Sequence, residues 1–364
     1  MSEEQEHVSF AGLEGDIERQ LTSTSLKFSR LPQLRVVVNS RCGRACFFCR
    51  PSGEAVPTMA GQELDIETVK VVVNAYVQFG GTFVKLTGGD PALWKDLVRC
   101  VAVLKKEVGV QQLHVISRHP RIGTLARRLA TAGVDLINIS LDTLKPELHQ
   151  EITGIDDLPA MIKAVEQCVQ TGLPVKINTV VMAGVNDLEI EDIIAFCERA
   201  GVASLKLLDT IGDLAAGRES FALRLKRLRN VTLSDLYCPL KPIAVKLKQR
   251  AIRTRILGQG GLGHPMLGIT LPSGLEIIVK DHRAGAWYGN ICSSCRYYPC
   301  HDALMALRLT ADSRLQFCLL REDITIDLRE QLAKGPRAVA AVLAHALKVY
   351  DQATFHMNIT EVGQ

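Results

Sequence analysis

The sequence predicts a mixed α/β fold, a partial (β/α)6 barrel of the TIM type followed by a smaller C-terminal domain. Short β-rich runs alternate with amphipathic helical patterns over the first two thirds of the chain. Glycines close those helical patterns. The alternation then stops near residue 210 and gives way to a stretch of different composition. A chain of 364 residues is long enough for one large core and a smaller one. The expected organisation is an N-terminal extension over 1–30, the barrel over 31–210 and a C-terminal domain over 211–364.

The predicted strands are Leu34–Asn39, Phe83–Thr87, Leu113–Ser117, Leu136–Ser140, Val175–Val181 and Ser204–Leu208. Between them lie Glu67–Phe79, Leu93–Glu107, Thr124–Ala132, Leu158–Gln170 and Glu189–Ala200, whose apolar residues recur at spacings of three and four, the period of a helix with one buried face. Gly80-Gly81, Gly133, Gly172 and Gly201 stand where C-terminal caps belong. Six β/α units imply a parallel sheet with right-handed crossovers. Six do not close an eight-fold barrel, so one side is expected to stay open.

Beyond these units, Arg218 to Arg255 holds eleven Lys or Arg against two acidic residues. With a net charge of only +4, this run reads as one solvated helical face rather than a nucleic-acid surface. Gly258–Gly263 neither follows a clear strand nor opens a helix, so it is not read as a nucleotide fingerprint. Leu267–Leu271 and Leu275–Lys280 flank Pro272-Ser-Gly274 as a hairpin. A last helix is expected over Arg337–Val349.

A hydrophobic content of 47% with mixed charges suits a globular chain. No run approaches the roughly 20 apolar residues of a membrane span. The acidic start MSEEQEHVSF lacks the layout of a signal peptide, and a cytoplasmic location is the expectation. Disulfides are disfavoured there, so eleven cysteines point to metal or redox chemistry where they cluster. Cys100, Cys168 and Cys197 fall in helical patterns and read as small hydrophobes. Cys238 precedes Pro239 in a loop-like stretch.

Cys42-Gly-Arg-Ala-Cys46-Phe-Phe-Cys49 follows the first strand, at the end where β/α barrels carry their chemistry. Three thiolates on one loop can hold three irons of a 4Fe–4S cluster and leave the fourth open. Zinc, which wants four ligands, finds no obvious fourth here. In the second group, Cys292, Cys295, Cys300 and Cys318, the spacing alone admits either a four-thiolate zinc or an iron–sulfur cluster.

The spacing C-x3-C-x2-C, with Phe48 before the third cysteine, resembles the radical S-adenosylmethionine (SAM) signature. Thr87-Gly88-Gly89-Asp90-Pro91 is similar to that superfamily's glycine-rich strand end, which binds the amino group of SAM; the superfamily usually has Glu where this chain has Asp90. Asn138-Ile-Ser-Leu-Asp-Thr-Leu144, Ile152-Thr-Gly154, Val175-Lys-Ile-Asn-Thr-Val-Val181, Gly184-Val-Asn-Asp187 and Leu307-Arg-Leu-Thr-Ala-Asp312 resemble the GTP 3′,8-cyclase family of molybdenum cofactor biosynthesis. The resemblance implies a partial barrel with a C-terminal iron–sulfur domain, two 4Fe–4S clusters, and SAM as cofactor. By it, Cys42, Cys46 and Cys49 hold the catalytic cluster. Cys292, Cys295 and Cys318 hold the second, with Cys300 as a possible fourth ligand brought by an insertion. Ser140 and Asn178, and more weakly Ser117, match positions lining the SAM and substrate pocket.

The resemblance implies an enzyme that cleaves SAM reductively to a 5′-deoxyadenosyl radical and abstracts a hydrogen from a small-molecule substrate. The electron donor would be a flavodoxin or ferredoxin; neither membrane nor nucleic acid is an expected partner. In the cyclase, basic residues hold the triphosphate. Arg35, Lys176 and Arg308 fall at matching basic positions, whereas Lys85 and Lys206 offer lysine, which lacks arginine's bidentate fork. Ala306 replaces an arginine, and the chain ends Val362-Gly363-Gln364 rather than in the cyclase's Gly-Gly. An anionic, nucleotide-like substrate other than GTP is therefore expected. The alternatives are GTP cyclisation itself and peptide modification, for which the roughly 30 residues before the first strand look too short to form a leader-binding module. A non-catalytic zinc or iron–sulfur protein is the rival from outside enzymes.

Overall fold

The computed structural model describes residues 28–50, 54, 62–213, 221–258, 261–352 and 354–357. The N-terminal extension up to 27, positions 218–220 of the basic stretch, 259–260 of the glycine-rich stretch and the C-terminal tail lie outside them. Fourteen strands are described: β1 Gln33–Val37, β2 Phe83–Thr87, β3 Gln112–Ser117, β4 Leu136–Ser140, β5 Val175–Val180, β6 Ser204–Leu208, β7 Arg253–Leu257, β8 Met266–Thr270, β9 Glu276–Lys280, β10 Ala286–Gly289, β11 Ala306–Leu309, β12 Arg314–Cys318, β13 Arg321–Asp327 and β14 Thr354–Met357.

The six predicted strands form β1 to β6 in sequential order, all parallel. The sheet continues past them on both sides. β9 pairs parallel with β6, and β8 and β7 follow antiparallel. At the other side β11 pairs parallel with β1, and β12 and β13 follow antiparallel. The result is one curled twelve-stranded sheet, with β10 and β14 as a separate pair. The expected boundary at residue 210 therefore falls where the sheet is continuous. The pairing covers the two edges that six β/α units would leave with unsatisfied backbone groups.

Side chains alternate across each strand. Leu34, Val36, Val84, Leu86, Leu113, Val115, Ile137, Ile139, Ile177, Leu205 and Leu207 point outward into the helices and are fully buried. The intervening residues face the lumen, and many are polar or charged.

The expected single helix over Leu93–Glu107 is broken. A turn spans Pro91–Leu93, Trp94 is extended, and the helix runs Leu97–Val103 before a wider turn at Leu104–Val108. Asp90 causes the early turn by accepting from the Ala92 N–H at 3.0 Å. The helix Pro146–Thr153, not among the predicted ones, ends at Gly154. No described helix is long and apolar enough to cross a membrane.

Candidate active site

The loop after β1 is held from three sides. Ala45 N–H donates to the Thr153 carbonyl at 2.8 Å and Phe47 N–H to that of Ile152 at 3.3 Å, so the end of helix Pro146–Thr153 supports the cysteine loop. Buried Arg44 pairs with Asp157 at 2.6 Å. Phe47, fully buried, packs with Ile152, Met182 and Leu225.

The strand end of β2 presses against this loop. Gly89 N–H donates to the Asn39 carbonyl at 2.8 Å and Asp90 N–H to that of Arg41 at 2.6 Å. A Cβ on Gly89 would lie 2.3 Å from the Arg41 carbonyl oxygen, and one on Gly88 would lie 2.6 Å from Asn39 Oδ1. Both glycines are thus demanded by close backbone approach. Asp90 accepts three hydrogen bonds, from Ser117 Oγ at 2.7 Å and Arg118 N–H at 2.6 Å besides Ala92. Burial pushes its pKa up against those hydrogen bonds.

Cys42, Cys46 and Cys49 surround a cavity of about 280 Å³ with Phe48, Thr87, Gly88, Gly89, Asp90, Ser117, Ser140 and Asn178. Its wall also contains Arg118, which the sequence reading missed. Arg118 pairs with buried Asp142 and lies over the Phe48 ring at 5.4 Å. The signal was available, since Arg118 directly follows a strand end and Asp142 falls within the quoted Asn138–Leu144 motif. Asp142 is fixed in turn by the Val180 N–H at 2.9 Å. Buried Asn186 ties the ends of β4 and β5 together, donating to the Asp142 and Val180 carbonyls at 2.7 and 2.8 Å. Burial raises the Cys42 thiol to about 11, aided by Asp90, and the Cys46 thiol to about 12; Cys49 is raised by burial as well. Arg118 opposes all three shifts.

The far wall, also unforeseen, holds Asp209 and Lys280. Asp209 Oδ2 accepts from the His282 N–H at 2.8 Å and contacts the His282 ring. Burial acts to raise the Asp209 carboxyl, but Lys280 and His282 hold it below its ordinary value.

Arg35, Lys85, Lys176, Lys206 and Arg308 do not line this cavity. Lys85, Lys176 and Lys206 stand two residues before Thr87, Asn178 and Leu208, which places them about 7 Å deeper along the strands. There they form a buried basic floor. Burial pushes Lys85 well down, helped by Arg35, Lys206 and Lys176. Burial and then Lys280, Lys176 and Arg35 bring Lys206 to about 7. His114 falls to about 3 by burial, with Lys85 and Lys176 adding to the shift. Arg35 and Arg308 are engaged differently: Glu54 reaches between them at 2.7 and 3.3 Å. Although burial acts to raise it, the two arginines hold the Glu54 carboxyl at about 2.

Cys292, Cys295, Cys300 and Cys318 come together around a second, mostly apolar pocket with Tyr288, Tyr297 and Tyr298. Burial raises Cys292, and it brings Cys300 to about 12. A tetrahedral zinc site with bonds of roughly 2.3 Å holds its sulfurs about 3.8 Å apart. Among the described residues, only Asp209, Asp281 and His282 bring three possible ligand atoms within 4.8 Å of one another, and hydrogen bonds already account for that group.

A half-barrel carrying three cysteines at its first strand end defines the radical SAM class, and residues 36–197 match the Radical SAM superfamily. The chain is 31% identical over 310 residues to a "Probable GTP 3',8-cyclase" of Thermococcus kodakarensis, covering 85% of this chain and 92% of the relative. It is 30% identical over 311 residues to the protein of the same description from Pyrococcus abyssi, again covering 85% and 92%. The chain belongs to the radical SAM superfamily and, within it, to the family of the GTP 3′,8-cyclase-like proteins. The crystal structure of Streptococcus suis SuiB bound to S-adenosylmethionine shares the fold, with a TM-score of 0.56 at 14% identity over 85% of this chain and 71% of that one. The protein is accordingly an enzyme of SAM-dependent radical chemistry, with 4Fe–4S clusters and SAM as its cofactors.

Proposed function

We propose that the enzyme binds its catalytic cluster through Cys42, Cys46 and Cys49 and takes a hydrogen atom from a small anionic, nucleotide-like substrate seated above the lysine floor. The observation that carries the anionic part is the depressed Lys85, Lys176 and Lys206 set, all three pushed down by burial and Lys85 and Lys206 also by neighbouring cations: buried positive charge of this kind is relieved by a bound anion. When bound, the cluster and SAM supply the 5′-deoxyadenosyl radical. The residues of the chain hold and orient. Asn178 lines the cavity, and its Oδ1 has no hydrogen-bond partner among the described residues, which suits an acceptor waiting for a ligand. Arg118, beside all three thiols, is suited to a carboxylate of the cofactor. Thr87, Ser117, Ser140 and the Gly88-Gly89 backbone also line the cavity. Phe48 lines the cavity beside the thiols, under the Arg118 guanidinium. Cys292, Cys295, Cys300 and Cys318 are assigned to the second cluster, and a small-molecule substrate and an electron donor complete the system.

GTP cyclisation is the second reading, favoured by the names of the similar archaeal proteins. Arg35 and Arg308 are held by Glu54, and Ala306 offers no side-chain donor. A charge-assisted hydrogen bond contributes roughly 1.5–3 kcal/mol. Losing one such bond at Ala306 therefore weakens triphosphate binding by about tenfold to a hundredfold. The test is anaerobic turnover with SAM, reductant and GTP. We expect 5′-deoxyadenosine without efficient formation of the 3′,8-cyclised product; cyclisation at the rate of a true cyclase would promote the second reading.

A further inference from the structure

Residues 222–255, which carry most of the basic stretch, do not line the cavity, yet one part of them sits directly on the catalytic cysteine loop. Phe221 N–H donates to the Cys49 carbonyl at 3.0 Å. Arg224 donates to the carbonyls of Ala45 at 3.1 Å and Ile152 at 3.2 Å. Leu225 is fully buried against Phe47, and Arg229 pairs with Glu151. The helix Ala222–Arg229 is therefore bolted to the loop by one face. The other face carries Leu223, Lys226, Arg227 and Asn230, at the spacing of three and four that shares one side of a helix, and all four are exposed. Leu223 is 73% exposed and neighbouring Leu228 is 49%. Lys226 and Arg227 make no ion pair with the described residues. An exposed apolar spot among unpaired positive charges, one layer above the cysteines, is the surface of a transient, electrostatically steered contact.

We propose that this face of the helix Ala222–Arg229 docks an acidic one-electron carrier protein that delivers reducing equivalents to the Cys42–Cys49 site. The proposal rests on the radical SAM reading of that site. Each docking event passes one electron. The carrier is oxidised by one electron, the sulfonium of SAM is reduced, and its bond to the 5′ carbon breaks to give methionine and the 5′-deoxyadenosyl radical. Positive charge on the helix steers the acidic carrier, and the exposed leucines supply the short-range contact.

The test compares two reductants with the full-length holoenzyme: dithionite, which needs no docking, and an acidic flavodoxin in its hydroquinone state. The variant Lys226→Glu/Arg227→Glu should form 5′-deoxyadenosine with dithionite at the wild-type rate. With flavodoxin its KM should rise roughly tenfold or more, by loss of steering, and the steep salt dependence of the wild type should flatten. Lys246→Glu/Lys248→Glu, on the helix Lys241–Gln249 of the same basic stretch, should change neither. An unaltered flavodoxin KM in the first variant, or an equal loss in the second, would overturn the proposal. If the charge-reversed variant is inactive with dithionite through misfolding, the neutral Lys226→Gln/Arg227→Gln decides by the same two readouts. Failure of the wild type itself to cleave SAM with dithionite would instead sink the reading of the site, and the two failures are thereby told apart.

Discussion

Cys42, Cys46 and Cys49 stand on one loop at a strand end and face a cavity shared with polar groups, among them Thr87, Arg118 and Asn178. Cys292, Cys295 and Cys300 lie on one short stretch, Cys318 joins them from the end of β12, and the four close around a smaller pocket whose other walls are mainly tyrosine and aliphatic. The same side chain thus meets two environments. The first set has three sulfurs and open space beside them, so a cluster there has room for an outside ligand. The second has four sulfurs and little space, which suits a cluster whose coordination the protein completes itself. Ligand count and adjoining volume together, rather than cysteine spacing alone, are what distinguish the two sets.

The comparison breaks most completely at the first set. Changing Cys42, Cys46 and Cys49 to Ala should remove about four irons per chain and abolish 5′-deoxyadenosine formation, while Mössbauer spectra still show a 4Fe–4S species from the second set. Retained SAM cleavage in that triple variant would refute the assignment, and zinc alone at the second set after anaerobic, iron-replete purification would refute the other half. Gly89→Ala strikes the same set through the backbone. Its Cβ has no room beside the Arg41 carbonyl, so the loop must shift and iron loading of the first site should fall severely; near-normal loading would show that the close approach is not required.

Cys300→Ala sharpens the comparison without destroying either site. If four sulfurs close the second cluster, this change converts it to the three-sulfur kind. Added small ligands such as cyanide should then perturb its spectrum, where they leave the wild type untouched. An equal response in both proteins would mean that Cys300 is only a buried thiol beside the cluster.

Much of this architecture was legible in the sequence because parallel strands buried on one face and capped helices leave strong periodic marks. Phe83–Thr87, Leu136–Ser140 and Ser204–Leu208 were read to the residue. The cavity wall was readable where motifs carried it, as at Cys42–Cys49 and Thr87–Asp90. What the sequence hid was long-range. Nothing in Leu307–Asp312 tells that β11 lies parallel against β1, and nothing in Glu54 tells that it reaches Arg308 from far along the chain. The floor shows the same limit: Lys85, Lys176 and Lys206 were named as basic positions, but only the curled sheet brings these three strands' lysines to its inner face, outside the residues that line the cavity.

The smallest expected effect tests that floor against the cysteine cavity above it. Lys206 is brought to about 7, first by burial and then by Lys280 on β9, Lys176 on β5 and Arg35 on β1, against the pull of Asp209. In the unfolded chain a lysine keeps its proton to about 10.4. Between those values the unfolded state binds more protons than the folded one, so this group makes stability rise with pH from about 7 to about 10 and penalises the fold most fully below 7. A bound anion raises the folded value again, so it takes up a proton near neutrality and binds more weakly as the pH climbs. Thermal midpoints of the anaerobic holoenzyme should therefore rise between pH 6 and 9, and added pyrophosphate should stabilise more at pH 6 than at pH 9. In Lys206→Met both slopes should shrink, while SAM cleavage with dithionite, which belongs to the cavity above, persists. Equal slopes in the two proteins would show that Lys206 is not part of an anion floor, and loss of SAM cleavage in the variant would show that floor and cavity are one site rather than two layers.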